Sequence, residues 1–508
     1  MGEIFVNREE ELRLINSAVT TLQSRQLLQT PIIEFYGVQG IGKTMLLKHI
    51  EMQCSEKHLS CVATDLTQGE EAITRSVGDA RTLLDMHQPV VMILDSLDAT
   101  SPAMLQGIEA ELRDLIENSF LFVVLASRNE QRFTRTRSLA RKLVTRSLQP
   151  IGPKWCAQYL EKVEPTIGQE VREMIFEWTG GYPLAMNVMT DAIIEKRLHP
   201  GQEQDQKLLM SIISERVINQ KLFSAVSAPD LNRYQTLFTI LSVPRRFNLA
   251  LMQDLVEAFA SQYSLASSIA YISFPGSIAK DVSALSWDLA RSGYCIEAPV
   301  RRLFLRKLRI EQPQLYRDVH RFLAKKNRDF IQEVVGADRI HYLREYFYHL
   351  AHSEPEEAVQ QIIMEQIELL MAQGSEQEHV SFAENLVRFH EEFQQDEDLQ
   401  EALSKRGTDL ILLLFLKSFL RIYRHIPLEA RNQFLQEIFM PGNSLPQGDD
   451  FTGIFEEKME QVIQQSVLDE ARELYSVLVV DEVLQVLLGQ EFDAVLTRIF
   501  HAVLEEGA

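Results

Sequence analysis

The eight residues from Gly37 to Thr44, GVQGIGKT, constrain this chain more than any other stretch. They fit the pattern G-x-x-x-x-G-K-[ST], follow the short apolar run of IIEFY and precede a helical pattern. A strand, a glycine-rich turn and a helix in that order form the first unit of a parallel α/β sheet. The residue types state the chemistry. Glycines let the turn wrap closely, so backbone N–H groups and the N-terminus of the following helix face one anion. Lys43 adds a point charge for transferring phosphates, and Thr44 offers an oxygen to a divalent cation. The expected nucleotide contacts are Gly37, Val38, Gln39, Gly40, Ile41, Gly42, Lys43, Thr44 and Met45, with ATP or ADP and Mg²⁺ as ligands. Lys43 is expected to act in catalysis too, whereas a merely tight turn needs no lysine there.

Further along, PVVMILDSLDATSP runs five apolar residues, Val90 to Leu94, into Asp95. A doubly wound sheet holds its ligand outside the carboxyl ends of its strands, so Asp95 is expected to join Thr44 around Mg²⁺. The next position, where many ATPases carry a second acid, is Ser96. Asp98 is therefore the candidate to orient or deprotonate the attacking water, against the simpler reading of a solvated loop carboxylate. The run FVVLASRNE ends another strand pattern with Ser127 and Arg128. An arginine there tells ATP from ADP by a charge-assisted contact to the γ-phosphate. The basic stretch Arg132, Arg135, Arg137, Arg141, Lys142 and Arg146 reads as a solvated helix face rather than a polyanion site.

The remaining pattern divides the chain. Leu12, Ile15, Val19 and Leu22 fall at helical spacing, predicting an opening amphipathic helix. LSCVATDL is a weaker strand candidate, and helical patterns cover Glu70 to Met86 and Met104 to Glu117. Beyond Pro150 no further strand-helix-strand unit is legible. Helices broken by Gly180, Gly181 and Pro183 follow, then a polar linker from His199 to Lys207. ALSWDLARSGY predicts a helix ending near Gly293, with YCIEAP as one strand of a small wing. The expected fold is multidomain: an α/β P-loop NTPase domain with a parallel sheet over 1–150, a small helical domain over 151–228, a winged-helix-like domain over 229–325 and an all-α sensor or interaction domain over 326–508.

Charge narrows the partners. With a formal net charge of −21, an extended nucleic-acid groove is disfavoured, although Arg301, Arg302, Arg306, Lys307 and Arg309 make one local basic patch. The longest apolar run, Leu410 to Leu416, falls far short of the roughly 20 residues that cross a bilayer, so no membrane partner is expected. MGEIFVNREE has no signal-peptide pattern, and four cysteines are too sparse for a disulfide framework, pointing to a cytoplasmic protein. Cys54, His58 and Cys61 lack the fourth ligand that a structural zinc site needs.

Five motifs together resemble the STAND class of signal-transduction NTPases, the regulatory, AAA-like branch of P-loop proteins that includes NB-ARC and NACHT switches. They are FVNREEEL, GVQGIGKT, ILDSLDA, LASR and TGGYPLAM, in the family's order. The resemblance implies a prokaryote-type switch, closed with ADP and open with ATP. It implies that Pro183 touches the nucleotide and that the segment from Val6 to Arg8 borders the adenine. Asn7 stands where the family has glycine. Where the family's winged helix carries a histidine for ADP, this chain reads APVRRLFL, with Arg301 or Arg302 at that place and His320 further on. The order Asp-Ser-Leu-Asp resembles the NACHT form, with Ala99 in place of a further acid, and implies slow hydrolysis that resets the switch. An effector acting in trans, ATP-dependent homo-oligomerisation and a role in defence or stress are the expected setting. The alternative is a DNA-associated AAA-type ATPase whose winged helix reads DNA, and a third reading is a scaffold that binds nucleotide only for stability.

Overall fold

Apolar strands that must be covered on both faces dictate the first half of the structure. The computed structural model describes residues 6–355, except 118–119, 131–132, 134–136, 283, 289–292 and 335–336, together with scattered positions from 358 to 403. Arg132, Arg135, the run from Leu410 to Leu416 and most of the helical domain expected over 326–508 lie outside the described residues. The chain divides into two compact units, Met1–Pro313 and Gln314–Ala508.

In the first unit, helix α1 (Glu9–Gln23) buries Ile15, Val19 and Leu22, as their spacing predicts. There follow β1 (Ile32–Tyr36), α2 (Lys43–Glu56), β2 (Ser60–Asp65), α3 (Glu70–Asp85), β3 (Val90–Asp95), α4 (Pro102–Ile116), β4 (Leu121–Ser127), α5 (Arg137–Ala140) and β5 (Leu143–Ser147). The strands form one parallel sheet in the order β2-β3-β4-β1-β5. Central β4 is buried along its whole length, whereas the edge strands β2 and β5 carry polar residues and are only partly covered. Ser101 caps α4 by accepting from Met104 N, and Pro102 at the first helical position has no N–H to leave unpaired. This order sets the carboxyl ends of β3, β4 and β1 side by side.

Two expectations need correction here. Strand β5 replaces the helix face expected at Arg146, whose backbone pairs with Phe35. The open edge of β1 and the β-prone run Leu143, Val144, Thr145 decide its state, and among the described residues of the stretch Arg137–Ala140 is helical. Likewise the linker expected from His199 to Lys207 is mostly helix. After α6 (Pro153–Val163), α7 (Gln169–Thr179) and α8 (Pro183–Lys196), α9 begins at Glu203 and runs to Ile213, passing into a π-helical stretch at Ser214–Leu222. Asp205 accepts from His199 N at 2.8 Å, which folds the short turn onto the new helix.

Helices α10 (Leu231–Leu241), α11 (Leu249–Phe259) and α12 (Ala270–Asp281) lead to an antiparallel hairpin, β6 (Leu285–Asp288) with β7 (Gly293–Ile296), and then α13 (Ala298–Glu311). The strand expected in YCIEAP is present. The helix expected just before it is not, because Trp287 packs edge-on against Tyr294 at 4.7 Å and Leu285 pairs with Ile296. Phe223, Phe238 and Phe304 meet at 5.3 to 6.0 Å and tie α10 to α13.

In the second unit, α14 (Pro313–Glu333) packs on α15 (Ala337–Ser353), and the expected boundary at 325 falls inside α14. His320 is fully buried there, with its Nδ1 3.0 Å from His349 Nδ1, while Tyr316 OH lies 2.9 Å from His352 Nδ1.

Candidate functional site

The loop between β1 and α2 is held by its carbonyls. Lys43 Nζ donates to Gly37 O at 2.6 Å and to Val38 O at 3.1 Å, crossing back over the loop it follows. An ammonium has three donors, so one remains for an anion's oxygen. The Tyr182 hydroxyl donates to Gln39 O, Leu184 N donates to Gly40 O at 3.3 Å, and Arg8 Nη2 donates to Ile41 O at 3.0 Å. The first N–H groups of α2 have no acceptor within the helix, as at any helix N-terminus, and with the macrodipole they favour a phosphate. Burial pulls the Lys43 ammonium down to about 8, against Asp98 and Asp95, which hold it up.

Across the adjoining strand ends, Thr44 Oγ1 donates to Asp95 Oδ2 at 2.8 Å, and Ser96 N donates to Asp95 Oδ1 at 2.7 Å. A hydroxyl and a carboxylate already in contact at the mouth of the loop are a hard-oxygen pair suited to Mg²⁺. Asp98 does not stand free. Its Oδ2 lies 3.0 Å from Arg128 Nε, and its Oδ1 accepts from Arg128 N at 2.8 Å. The candidate base and the candidate γ-phosphate sensor are thus joined to each other.

Beneath this pair, Ser127 Oγ lies 2.6 Å from Glu34 Oε1, and Glu34 is fully buried in β1. The only sequence signal for Glu34 is a carboxylate inside the apolar strand IIEFY. Tyr182 is the other residue that pattern reading left out, since a tyrosine in a helix-opening turn looks like ordinary core.

The expected site residues outside the loop fall in several places. Arg8 is buried, its basicity lowered by that burial and supported by Glu11 at 3.6 Å. It grips the loop backbone at Ile41, and Val6 lies half-buried on the same linker. Asn7 and Arg8 both take positive φ, 65° and 77°; asparagine tolerates this region, whereas arginine is strained there. Met45 is half-buried in the first turn of α2. Pro183 opens α8 one residue before Leu184, beside the loop.

Two glycines are required by close approach. At Gly40, φ +83°, an added Cβ meets Leu184 Cβ at 2.6 Å, and at Gly181, φ +73°, it meets Ile151 O at 1.8 Å. Gly181→Ala is expected to cost about 2 kcal/mol or more, read as a melting temperature lower by about 5 °C.

The basic patch of α13 divides: Arg301, Arg302 and Arg306 turn onto neighbouring helices, whereas Arg309 is exposed. Arg301 is buried and donates from Nε to Ser242 O at 3.0 Å. Arg302 Nε donates to Glu177 O at 2.8 Å, capping the C-terminal turn of α7. Arg306 pairs with Glu177 Oε1 and lies 5.1 Å over the Trp178 ring, and Lys307 pairs with Glu311. Arg301 thus holds Ser242 and Arg302 holds the end of α7, while His320 pairs with His349.

Residues 33–144 match the ATPase family associated with various cellular activities (AAA). Curated proteins yield no match to the chain. Among solved structures it is similar to the RuvB Holliday junction branch migration motor of Thermotoga maritima, at 15% identity over 58% of this chain and 93% of that one, with a TM-score of 0.33. It is similar to Cdc6p of Pyrobaculum aerophilum at 13% identity, over 62% of this chain and 97% of that one, TM-score 0.32. A STAND protein with a tetratricopeptide repeat sensor from Pyrococcus horikoshii matches at 10% identity, over 99% of this chain and 78% of that one, TM-score 0.27. The parallel sheet, the phosphate-loop geometry and the match over residues 33–144 together identify an AAA-family ATPase domain in this chain.

Proposed function

We propose that the chain is a nucleotide-dependent molecular switch of the STAND type, off with ADP and on with ATP, which slow hydrolysis returns to rest. The observation that carries this reading is the pairing of Arg128 with Asp98 through both carboxylate oxygens. Both oxygens of this carboxylate are turned to Arg128 rather than to a water. A γ-phosphate is a stronger anion for the same guanidinium, so ATP draws Arg128 away and releases Asp98 to act as base, whereas ADP does neither. Lys43, Gly37 to Gly42 and the first turn of α2 with Met45 bind the phosphates in this reading. Thr44 and Asp95 would hold Mg²⁺, which neutralises charge on the phosphate oxygens.

Switching takes more than one contact. Moving a two-state equilibrium from 1:99 to 99:1 needs about 5.5 kcal/mol of differential binding. Residues 151–228, as a small helical domain, add Tyr182, Pro183 and Leu184 at the loop. Residues 229–325, as a winged-helix-like domain, add Arg302 and Arg306 on the end of α7. We assign the region over 326–508 to sensing, and the output to a protein effector in trans or to ATP-dependent self-assembly, in defence or stress signalling.

The DNA-associated alternative needs an outward basic face. Arg301, Arg302 and Arg306 are engaged within the fold and Lys307 pairs with Glu311 of its own helix, so Arg309 alone of the patch is exposed, which favours the switch. The deciding experiment is purification without added nucleotide, identification of what is bound, and light scattering after ATP is supplied. Retained ADP with an ATP-driven change in mass or hydrodynamic radius is expected; identical size and partner binding with ADP and a non-hydrolysable ATP analogue would leave only a scaffold.

A further inference from the structure

We infer that Tyr182 is a positioning residue for the phosphate-binding loop, whose hydroxyl ties the turn before α8 to the Gln39 carbonyl and so sets how fast bound nucleotide leaves. This rests on the switch reading above and adds to it a residue that the pattern of the motif does not supply.

The geometry has three parts. Tyr182 is fully buried, and its hydroxyl donates to a carbonyl 143 residues away in sequence. Burial pushes the phenol well above its ordinary range, so it stays protonated and remains a donor. In a trans peptide the C=O and the next N–H point to opposite sides. Fixing Gln39 O on the side of Tyr182 therefore fixes the Gly40 N–H on the other side. The neighbouring planes are held the same way, with Leu184 N on Gly40 O and Arg8 on Ile41 O. Three consecutive peptide planes of the loop are thus oriented by donors from outside it.

The turn itself has little room to move. Ile151 N donates to Gly181 O at 3.0 Å, and Ile151 O occupies the place of a Gly181 side chain. On the other face Leu184 fills the place of a Gly40 side chain. Gly180 lies against the Arg302 side chain, which is itself bonded to Glu177 O. A displacement of α7 and α8 must therefore pull on Gln39 and Gly40, and loss of the Tyr182 hydroxyl removes the pull on Gln39 while leaving Leu184 on Gly40.

The test compares Tyr182→Phe with Tyr159→Phe in the full chain. Tyr159 OH donates to Asn187 Oδ1 at 2.6 Å, so its loss removes one phenolic hydrogen bond that does not reach the loop. Release of a fluorescent ADP analogue is followed by stopped flow, with the melting temperature of each nucleotide-free variant alongside. Tyr182→Phe should release ADP about fivefold faster than the native chain, and Tyr159→Phe at the native rate. Native release from Tyr182→Phe, or equal acceleration in both variants, overturns the inference and leaves the switch reading intact. A native chain that binds neither ADP nor ATP overturns the switch reading and this inference with it.

Discussion

Lys43→Ala is expected to weaken both ADP and ATP binding by about a hundredfold, measured by calorimetric titration, because a charge-assisted hydrogen bond to a buried oxygen is worth roughly 1.5–3 kcal/mol. The same substitution takes the donors away from Gly37 O and Val38 O, so the loop also loses its internal brace. A pH dependence accompanies it. Burial lowers the Lys43 ammonium from an ordinary 10.5 to about 8 in the nucleotide-free fold. A bound phosphate needs the charged form, so affinity is full below that value and falls as the pH rises through it, by about tenfold between pH 7 and pH 9. The effect on folding has the opposite slope. Between about 8 and 10.5 the unfolded chain binds more protons than the fold does, so this group's contribution to stability rises with pH across that window. Lys43→Ala should flatten the affinity profile, and a native profile that stays level to pH 9 would contradict the role.

Asp98→Asn should lower single-turnover phosphate release by 10²- to 10⁴-fold, the range for loss of a general base, while ADP affinity stays within about twofold. Asparagine keeps an acceptor for Arg128 N yet loses the charge that holds the guanidinium. Arg128 is then free to meet a γ-phosphate, so the variant should bind ATP and not turn it over. Unchanged turnover and unchanged nucleotide occupancy would count decisively against Asp98. Arg128→Ala supplies the contrast: it frees Asp98 but removes the contact that distinguishes ATP from ADP.

Much of the site is local in sequence, and that is why it could be read. The phosphate loop is eight consecutive residues whose glycines, lysine and threonine each have a backbone or charge reason to be there. Asp95 was legible because five apolar residues led into it, and its contact with Thr44 joins the two residues expected at Mg²⁺. Strand β5 was not legible. LVTRS is too short and too polar to stand apart from the basic stretch before it, and only the open edge of β1 makes it a strand. Glu34 carries no local signal of its partner, because Ser127 reaches it only from the neighbouring strand.

By itself the sequence determined the phosphate-binding unit, the strands that carry Asp95 and Arg128, and the glycine-proline turn before α8, because each is set by neighbours within a few residues. Tertiary structure alone decided which of these groups touch. It joined Asp98 to Arg128, put Tyr182 on the loop backbone and turned Arg302 and Arg306 of α13 onto α7. Strand order and helix packing bring residues tens to more than a hundred positions apart within hydrogen-bond distance, and no local pattern encodes that.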